Sequence, residues 1–286
     1  GLTVRRLCVD SRFRSTGSTD DFEVQLPEGI QLPSGCRASM VEFTGVASWE
    51  SVNESNRHVY LSEFGNGIAT YRIVQLPVGS HDSETLRAAI QDSLNVGRAA
   101  GIGTYAVSRS SSAGSTSTAS IGSAAFRFYT ISLSGGSFSR IPDSMLENPT
   151  WHHTVWQANG GAVYDIASPR TSNEIFAFTD SLEYKGTHVS KFVDLRSKHS
   201  LFVHSSLGNN DSQSADGGHR SILGKVPVTG AYGSVIHMQA SGSPFDNSSS
   251  GPTLLSRPRF FLRDARHQRV DLQGGHWSCT IVFSVQ

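Results

Sequence analysis

The chain has 286 residues, of which 24 are lysine or arginine and 24 are aspartate or glutamate, so its formal net charge at pH 7 is zero. This balance argues against a broad polyanion-binding surface, and we therefore expect no specific nucleic-acid partner. The 28 glycines and 10 prolines favour many short strands and turns, and hence one all-β domain over residues 1–286.

Short strands joined by polar loops make up the first part of the chain. Alternating apolar side chains predict strands at residues 2–9, 22–26, 36–46, 58–61 and 68–76. The stretch 10–20 between the first two is a polar loop. Gly65, Asn66 and Gly67 tolerate the positive φ of a tight turn, so the last two strands should form a hairpin.

One helix is predicted, at residues 84–95. Leu86, Ala89, Ile90 and Leu94 form one apolar stripe at helical spacing, and Asp82 or Ser83 precedes it as a cap. Asn95 and Gly97 end the pattern. We expect this helix to cover one open end of a β-sandwich.

The middle of the chain alternates predicted strands with long polar loops. Strands are expected at residues 125–133, 174–178, 189–195, 200–203, 222–228 and 233–240. Loop insertions rich in serine, glycine or asparagine are expected at about 108–123, 209–219 and 241–251. The segment 144–164 is irregular and polar, and carries Trp151 and Trp156.

The strongest strand pattern closes the chain. The side chains of Trp277, Cys279, Ile281, Phe283 and Val285 alternate with mostly polar ones, which is typical of a half-buried antiparallel strand. Residues 259–262 are interpreted as its partner strand, with a polar turn at 264–269. We expect the last strand to lie in the middle of a sheet and to close a β-sandwich.

The three cysteines are Cys8, Cys36 and Cys279. Their spacing predicts neither a disulfide framework nor a CxxC metal site. Each lies in a strand-like context, so we interpret all three as small buried apolar side chains. No apolar run approaches the about 20 residues of a membrane helix, and we expect no membrane-spanning segment.

The familiar patterns of catalysis and cofactor binding are missing. The sequence has no GxSxG, HExxH or Walker A motif, its histidines are dispersed, and we predict neither an enzyme nor a cofactor. Long loops on a rigid all-β scaffold instead favour contact between surfaces. This leaves a self-assembling structural protein, or a lectin-like or spike and fibre module in which Trp49, Trp151 and Trp156 stack on sugars.

Several stretches resemble the penton-type minor capsid proteins of Polinton-like viruses, adintoviruses and virophages. They are residues 7–14 (LCVDSRFR), 21–27 (DFEVQLP), 72–79 (RIVQLPVG), the helix at 84–95, 200–207 (SLFVHSSL), and 261–264 with 270–272 and the last strand. Their order and spacing resemble those of the family, and they lie at both ends and in the middle of the chain. Between about 98 and 180 nothing can be aligned.

The resemblance implies a jelly-roll β-sandwich of two antiparallel sheets, with long loops and one short capping helix. It also implies a homopentamer at the fivefold vertices of an icosahedral capsid, assembled inside the host cell. The expected partners are a double-jelly-roll major capsid protein and other minor capsid proteins.

Opposite charges concentrate in the loop after the first strand. We expect Asp10, Arg12, Arg14, Asp20 and Asp21 to form contacts between subunits of such a ring. A loop whose charges are merely solvated is the alternative interpretation.

Overall fold

The computed structural model describes residues 5–110, 128–176, 181–191, 193, 195–207, 212–214, 217–219, 221–230, 232–240, 247–248 and 253–284. The chain divides into two compact units. The terminal unit comprises Gly1–Trp49 and Lys198–Gln286, and the inserted unit comprises Glu50–Ser197. The interpretation of residues 1–286 as a single domain stays a prediction.

The elements are numbered in chain order. The strands are β1 (Arg5–Asp10), β2 (Thr16–Gly17), β3 (Asp21–Glu23), β4 (Ile30–Leu32), β5 (Arg37–Val46), β6 (His58–Gly65), β7 (Ile68–Gln75), β8 (Tyr105–Ser110), β9 (Phe128–Leu133), β10 (Ser137–Arg140), β11 (Thr187–Val189), β12 (Ser200–Ser205), β13 (Ser212–Ser214), β14 (Gly217–His219), β15 (Ile222–Pro227), β16 (Val235–Gln239), β17 (Asn247–Ser248), β18 (Thr253–Leu255), β19 (Arg259–Arg263) and β20 (Ser278–Ser284). The helices are α1 (Ser83–Asn95), α2 (Asp143–Leu146), α3 (Pro149–Trp151) and α4 (Asn173–Phe176).

The terminal unit is a jelly-roll sandwich, because eight of its strands pair in a nested antiparallel order. The first pairs with the last, the second with the seventh, the third with the sixth and the fourth with the fifth: β1 with β20, β3 with β19, β5 with β16, and β12 with β15. Pairing of β20 with β5 and of β12 with β19 joins these ladders into two sheets, β1-β20-β5-β16 and β15-β12-β19-β3-β2. The predicted jelly roll is confirmed.

Strand β20 lies in the middle of its sheet, between β1 and β5, as predicted. Ile281 is fully buried and Val282 is only partly buried, so the alternation also holds. The predicted partner strand is wrong. Strand β19 pairs with β12 and β3 in the opposite sheet, because the chain crosses the sandwich between β19 and β20 and buries Val270 and Leu272 on the way.

The core of the terminal unit fills the space between the two sheets. Trp277 lies at its centre, with ring centroids 5.5 Å from both Phe22 and Phe43. Cys36 and Cys279 are buried in this core, as expected. Cys8 is exposed, contrary to expectation, because β1 turns its neighbours Leu7 and Val9 inward and presents the thiol on the outer face of the sheet.

The inserted unit contains the predicted hairpin and helix. Strands β6 and β7 pair along their length, and Asn66 and Gly67 adopt the positive φ of a tight turn, 52° and 79°. Helix α1 begins after Asp82, whose carboxylate accepts hydrogen bonds from the backbone N–H of Glu84 and Thr85. Its apolar stripe enters the core of the inserted unit, and not the core between the jelly-roll sheets.

Three other predictions in the central part of the chain need correction. The strand expected at 174–178 is helix α4 as far as Phe176, and residues 177–178 lie outside the described residues. The strand expected at 189–195 ends at Val189. The segment 144–164 folds into short helical turns as far as Asn159, because Trp151, Trp156 and Tyr164 pack against Tyr60 and Tyr71.

The structure describes each of the three expected loop insertions only in part. Strand β8 extends to Ser110, and residues 111–123 lie outside the described residues. Within 209–219, β13 and β14 form a short antiparallel ladder in place of a loop. Within 241–251 the structure describes only β17, which pairs with β5.

Candidate assembly surface

A tight turn after β1 begins the loop in which the sequence placed subunit contacts. The 3-10 turn Ser11–Phe13 is capped by Asp10, which accepts a hydrogen bond from the backbone N–H of Arg12 at 2.9 Å. Ser11 is buried, its N–H donates to the Trp277 carbonyl at 3.0 Å, and its hydroxyl accepts from the Trp277 N–H at 3.1 Å. The turn is therefore anchored to the start of β20.

Asp10 and Arg12 pair with each other. The guanidinium donates to both carboxylate oxygens, with Nη2 at 2.6 Å from Oδ2, and these bonds lower the pKa of Asp10. The Arg12 side chain keeps 64% of its surface exposed. Arg14 pairs with no carboxylate among the described residues, and its guanidinium donates to the carbonyl oxygens of Ser11 and Gly17.

Asp20 and Asp21 bind arginines that lie far along the chain. Burial raises the pKa of Asp20, but hydrogen bonds from Arg269 and the Ser18 hydroxyl outweigh this effect and hold the pKa below its ordinary value. Asp21 binds Arg259, with Nη2 at 2.7 Å from Oδ2. These pairs fasten the loop to β19 and to the segment that follows it.

The sequence patterns alone did not single out these arginines. A signal was present, since residues 20–23 are mostly acidic and residues 257–269 are rich in arginine, so the two stretches carry opposite charges. Their contact depends on the register of β3 against β19, which places Arg259 opposite Glu23. A contact of the five predicted residues with a second subunit stays a prediction.

The lectin-like alternative requires the rings of Trp49, Trp151 and Trp156 to be accessible to a sugar. Trp49 and Trp156 are buried, so their rings are not available to stack on a sugar. Trp156 lies among the rings of Tyr60, Tyr71 and Tyr164, and its Nε1–H donates to the Ala162 carbonyl at 2.7 Å. Trp151 is partly exposed and is the one of the three that retains some accessible ring surface.

Three histidines lie close to other rings or to a hydroxyl group. His152 and His153 lie in a π-helical turn with ring centroids 5.0 Å apart, and His152 is buried. His204 is buried, lies 2.8 Å from the Ser221 hydroxyl through Nδ1, and stacks on Phe261 at 4.9 Å. Within the part of the chain that the structure describes, no group of three histidine, cysteine or acidic side chains is placed to hold a metal ion.

Stability should fall as the pH drops from about 7.5 to 5, because burial lowers the pKa of His58, His152 and His188. The histidines of the unfolded chain bind protons from about pH 6.5 downward, whereas those of the folded protein bind them only at lower pH. The free energy of unfolding is therefore highest above this pH and falls below it. Thermal melts across this range should show a falling Tm. Replacing His152 with phenylalanine should flatten the pH dependence, whereas replacing the exposed His237 with asparagine should not. A Tm that is constant or rises as the pH falls would refute this.

Among the described residues, no helix combines the length and apolar character needed to cross a membrane.

Comparison with known proteins finds no matching family model and no matching curated protein. Solved structures do match. The mavirus penton protein superposes with a TM-score of 0.52 over 100% of both chains, at 10% sequence identity. A chain of the 3.5 Å cryo-EM structure of the Sputnik virophage gives a TM-score of 0.52 over 99% of this chain and 97% of that one, at 12% identity. At such identities the likeness concerns the fold, which this chain shares with both.

Proposed function

We propose that this chain is a structural virion protein of the penton type, a minor capsid protein that forms homopentamers at the fivefold vertices of an icosahedral capsid. The observation that carries the proposal is the match to the mavirus penton protein along the whole length of both chains. A match of this extent includes the inserted unit as well as the jelly roll. The resemblance of the sequence motifs to penton-type proteins supports the same conclusion independently.

The physical character of the terminal unit suits such a role. A jelly-roll sandwich has two outer sheet faces that differ in sequence, so a contact between unlike faces of two copies is heterologous and can close into a ring. The polar loops at the ends of the sandwich are available for contacts with neighbouring capsid proteins. In the proposed shell those neighbours are a double-jelly-roll major capsid protein and other minor capsid proteins.

The vertex position can be tested by co-expressing the chain with the major capsid protein of the same virus. An icosahedral cryo-EM reconstruction of the particles should show five copies of the jelly roll around each fivefold axis. Density for the chain at threefold or quasi-sixfold positions, or particles with vertices that lack it, would contradict the proposal.

Reversing the charge of Arg12 should weaken assembly of the ring. The Arg12→Glu variant loses its pair with Asp10 and places two carboxylates side by side on an exposed turn. We expect about a tenfold weaker association in sedimentation velocity, because like charges at an interface oppose binding. Lys185→Glu, an exposed charge reversal in the inserted unit, serves as the control and should leave association unchanged. Equal association of Arg12→Glu and wild-type protein would exclude Arg12 from the interface.

A further inference from the structure

A pocket of about 280 Å³ opens on the outer face of the sheet β1-β20-β5-β16. Its lining includes Cys8 and Asp10 from β1, Phe13 from the turn that follows, Glu42 from β5, and Ser278 and Thr280 from β20. The anchored turn holds the Phe13 side chain at the pocket with 75% of its surface exposed. The pocket therefore combines polar groups with an exposed aromatic ring.

The pocket carries negative charge that the described residues do not neutralise. Glu42 accepts a hydrogen bond from the Thr280 hydroxyl at 3.3 Å, and no cation among the described residues pairs with it. The other carboxylate in the lining, Asp10, is already paired with Arg12. The described residues that line the pocket include no basic side chain. A carboxylate and an aromatic ring that line the same pocket both favour a cationic ligand group.

The opposite sheet presents a matching cation. Lys225 lies on the outer face of β15, because its neighbours Gly224 and Val226 turn inward, and its side chain is exposed. Its ammonium group lies 6.0 Å from the ring centroid of Phe202, and no carboxylate among the described residues pairs with it. Arg259, on the same outer face, is already paired with Asp21.

We propose that this pocket binds the Lys225 side chain of a second copy of the chain. The inference rests on the proposed ring assembly and names the contact that would form it. The outer faces of the two sheets point in opposite directions, so a contact between Glu42 of one copy and Lys225 of the next is heterologous, as ring closure requires. Phe13 and Glu42 supply the aromatic face and the counter-charge.

The exposed thiol of Cys8 provides a direct readout, because it lies in the same lining. Burial raises the pKa of Cys36 and Cys279, so both thiols should react slowly. We would measure alkylation by iodoacetamide over a concentration series, with the oligomer mass recorded in parallel and the Cys8→Ser variant identifying the reacting thiol. The rate at Cys8 should fall at least about tenfold in the oligomer. An oligomer in which Cys8 reacts as fast as in the monomer would overturn the inference and leave the proposed function standing.

Exchanging the charges of Glu42 and Lys225 tests whether these two side chains pair between copies. Glu42→Lys and Lys225→Glu should each weaken association at least about tenfold, and the double variant should restore much of the loss. Both side chains lie on outer faces, so circular dichroism melts should verify that each variant folds normally. Unchanged association of either single variant, or no rescue in the double variant, would overturn the inference. Failure of the wild-type chain to associate at all would overturn both the inference and the proposed function.

Discussion

Replacing Glu63 with alanine should lower the free energy of unfolding by about 3–5 kcal/mol, because the change leaves a buried cation without its partner. Glu63 lies fully buried on β6 and accepts hydrogen bonds from Arg72 and Tyr105, each at 2.6 Å through Oε1. Arg72 also donates to the carbonyl oxygens of Leu94 and Val96. The carboxylate therefore orients the arginine that holds the end of α1 against the hairpin.

The pair also explains the state of Tyr105. Burial, together with the Glu63 carboxylate, raises the pKa of this tyrosine, which stays a neutral donor at physiological pH. With Glu63→Ala, both the Arg72 guanidinium and the Tyr105 hydroxyl lose their acceptor. Both groups are too buried for bulk water to replace it fully.

Denaturant-induced unfolding followed by circular dichroism measures this loss, and hydrogen exchange should localise it to amides of the inserted unit. The matched control is Glu54→Ala, which removes an exposed carboxylate from an i,i+3 pair with Arg57. That change should cost less than about 0.5 kcal/mol. Similar losses for the two variants would mean that the buried pair does not stabilise the unit.

A second large effect is expected in the jelly roll, where Ile281→Ala should cost about 2–5 kcal/mol. Ile281 is fully buried between the sheets, and truncation to alanine leaves a cavity that the two sheets cannot close. Its neighbour Val282 lies on the outer face of the same strand. Val282→Ala should therefore cost less than about 1 kcal/mol.

The two substituted residues are adjacent in the strand, so local strand propensity affects both variants similarly. Equal losses of unfolding free energy would contradict the assignment of inner and outer faces to β20. A greater loss for Val282→Ala would contradict its register as well. The experiment thus tests which face of the last strand enters the core of the sandwich.

Local patterns in the sequence predicted those elements whose own residues specify them. The alternation of β20, the stripe and cap of α1, and the turn at Asn66 and Gly67 are all short-range signals, and the structure contains each of them. Pairing was harder. Residues 259–262 and the last strand are neighbours in sequence, yet the buried Val270 and Leu272 carry the chain across the core to the opposite sheet.

The boundaries of the two compact units have no signal in the sequence. Apolar strand segments recur on both sides of Trp49 and of Ser197, so composition does not change at either boundary. The short helix α4 was mistaken for a strand because an apolar run of this length has no distinguishing period.

At the candidate surface, the sequence identified the charged loop but not its partners. Asp20 and Arg269 are separated by 249 residues, and only the assembled sheets bring them together. The pocket was missed for a similar reason. It combines Phe13 from a turn with Glu42 and Thr280 from two strands, and sequence patterns do not show which aromatic side chain of a loop remains outside.

The most direct test of the account is the native mass of the purified protein at several concentrations, measured by light scattering or native mass spectrometry. The proposed penton predicts a discrete species at five times the 30.8 kDa mass of the chain, and no series of larger oligomers whose mass keeps increasing with concentration. A trimer, a continuous ladder of oligomers, or a monomer at every concentration would contradict it.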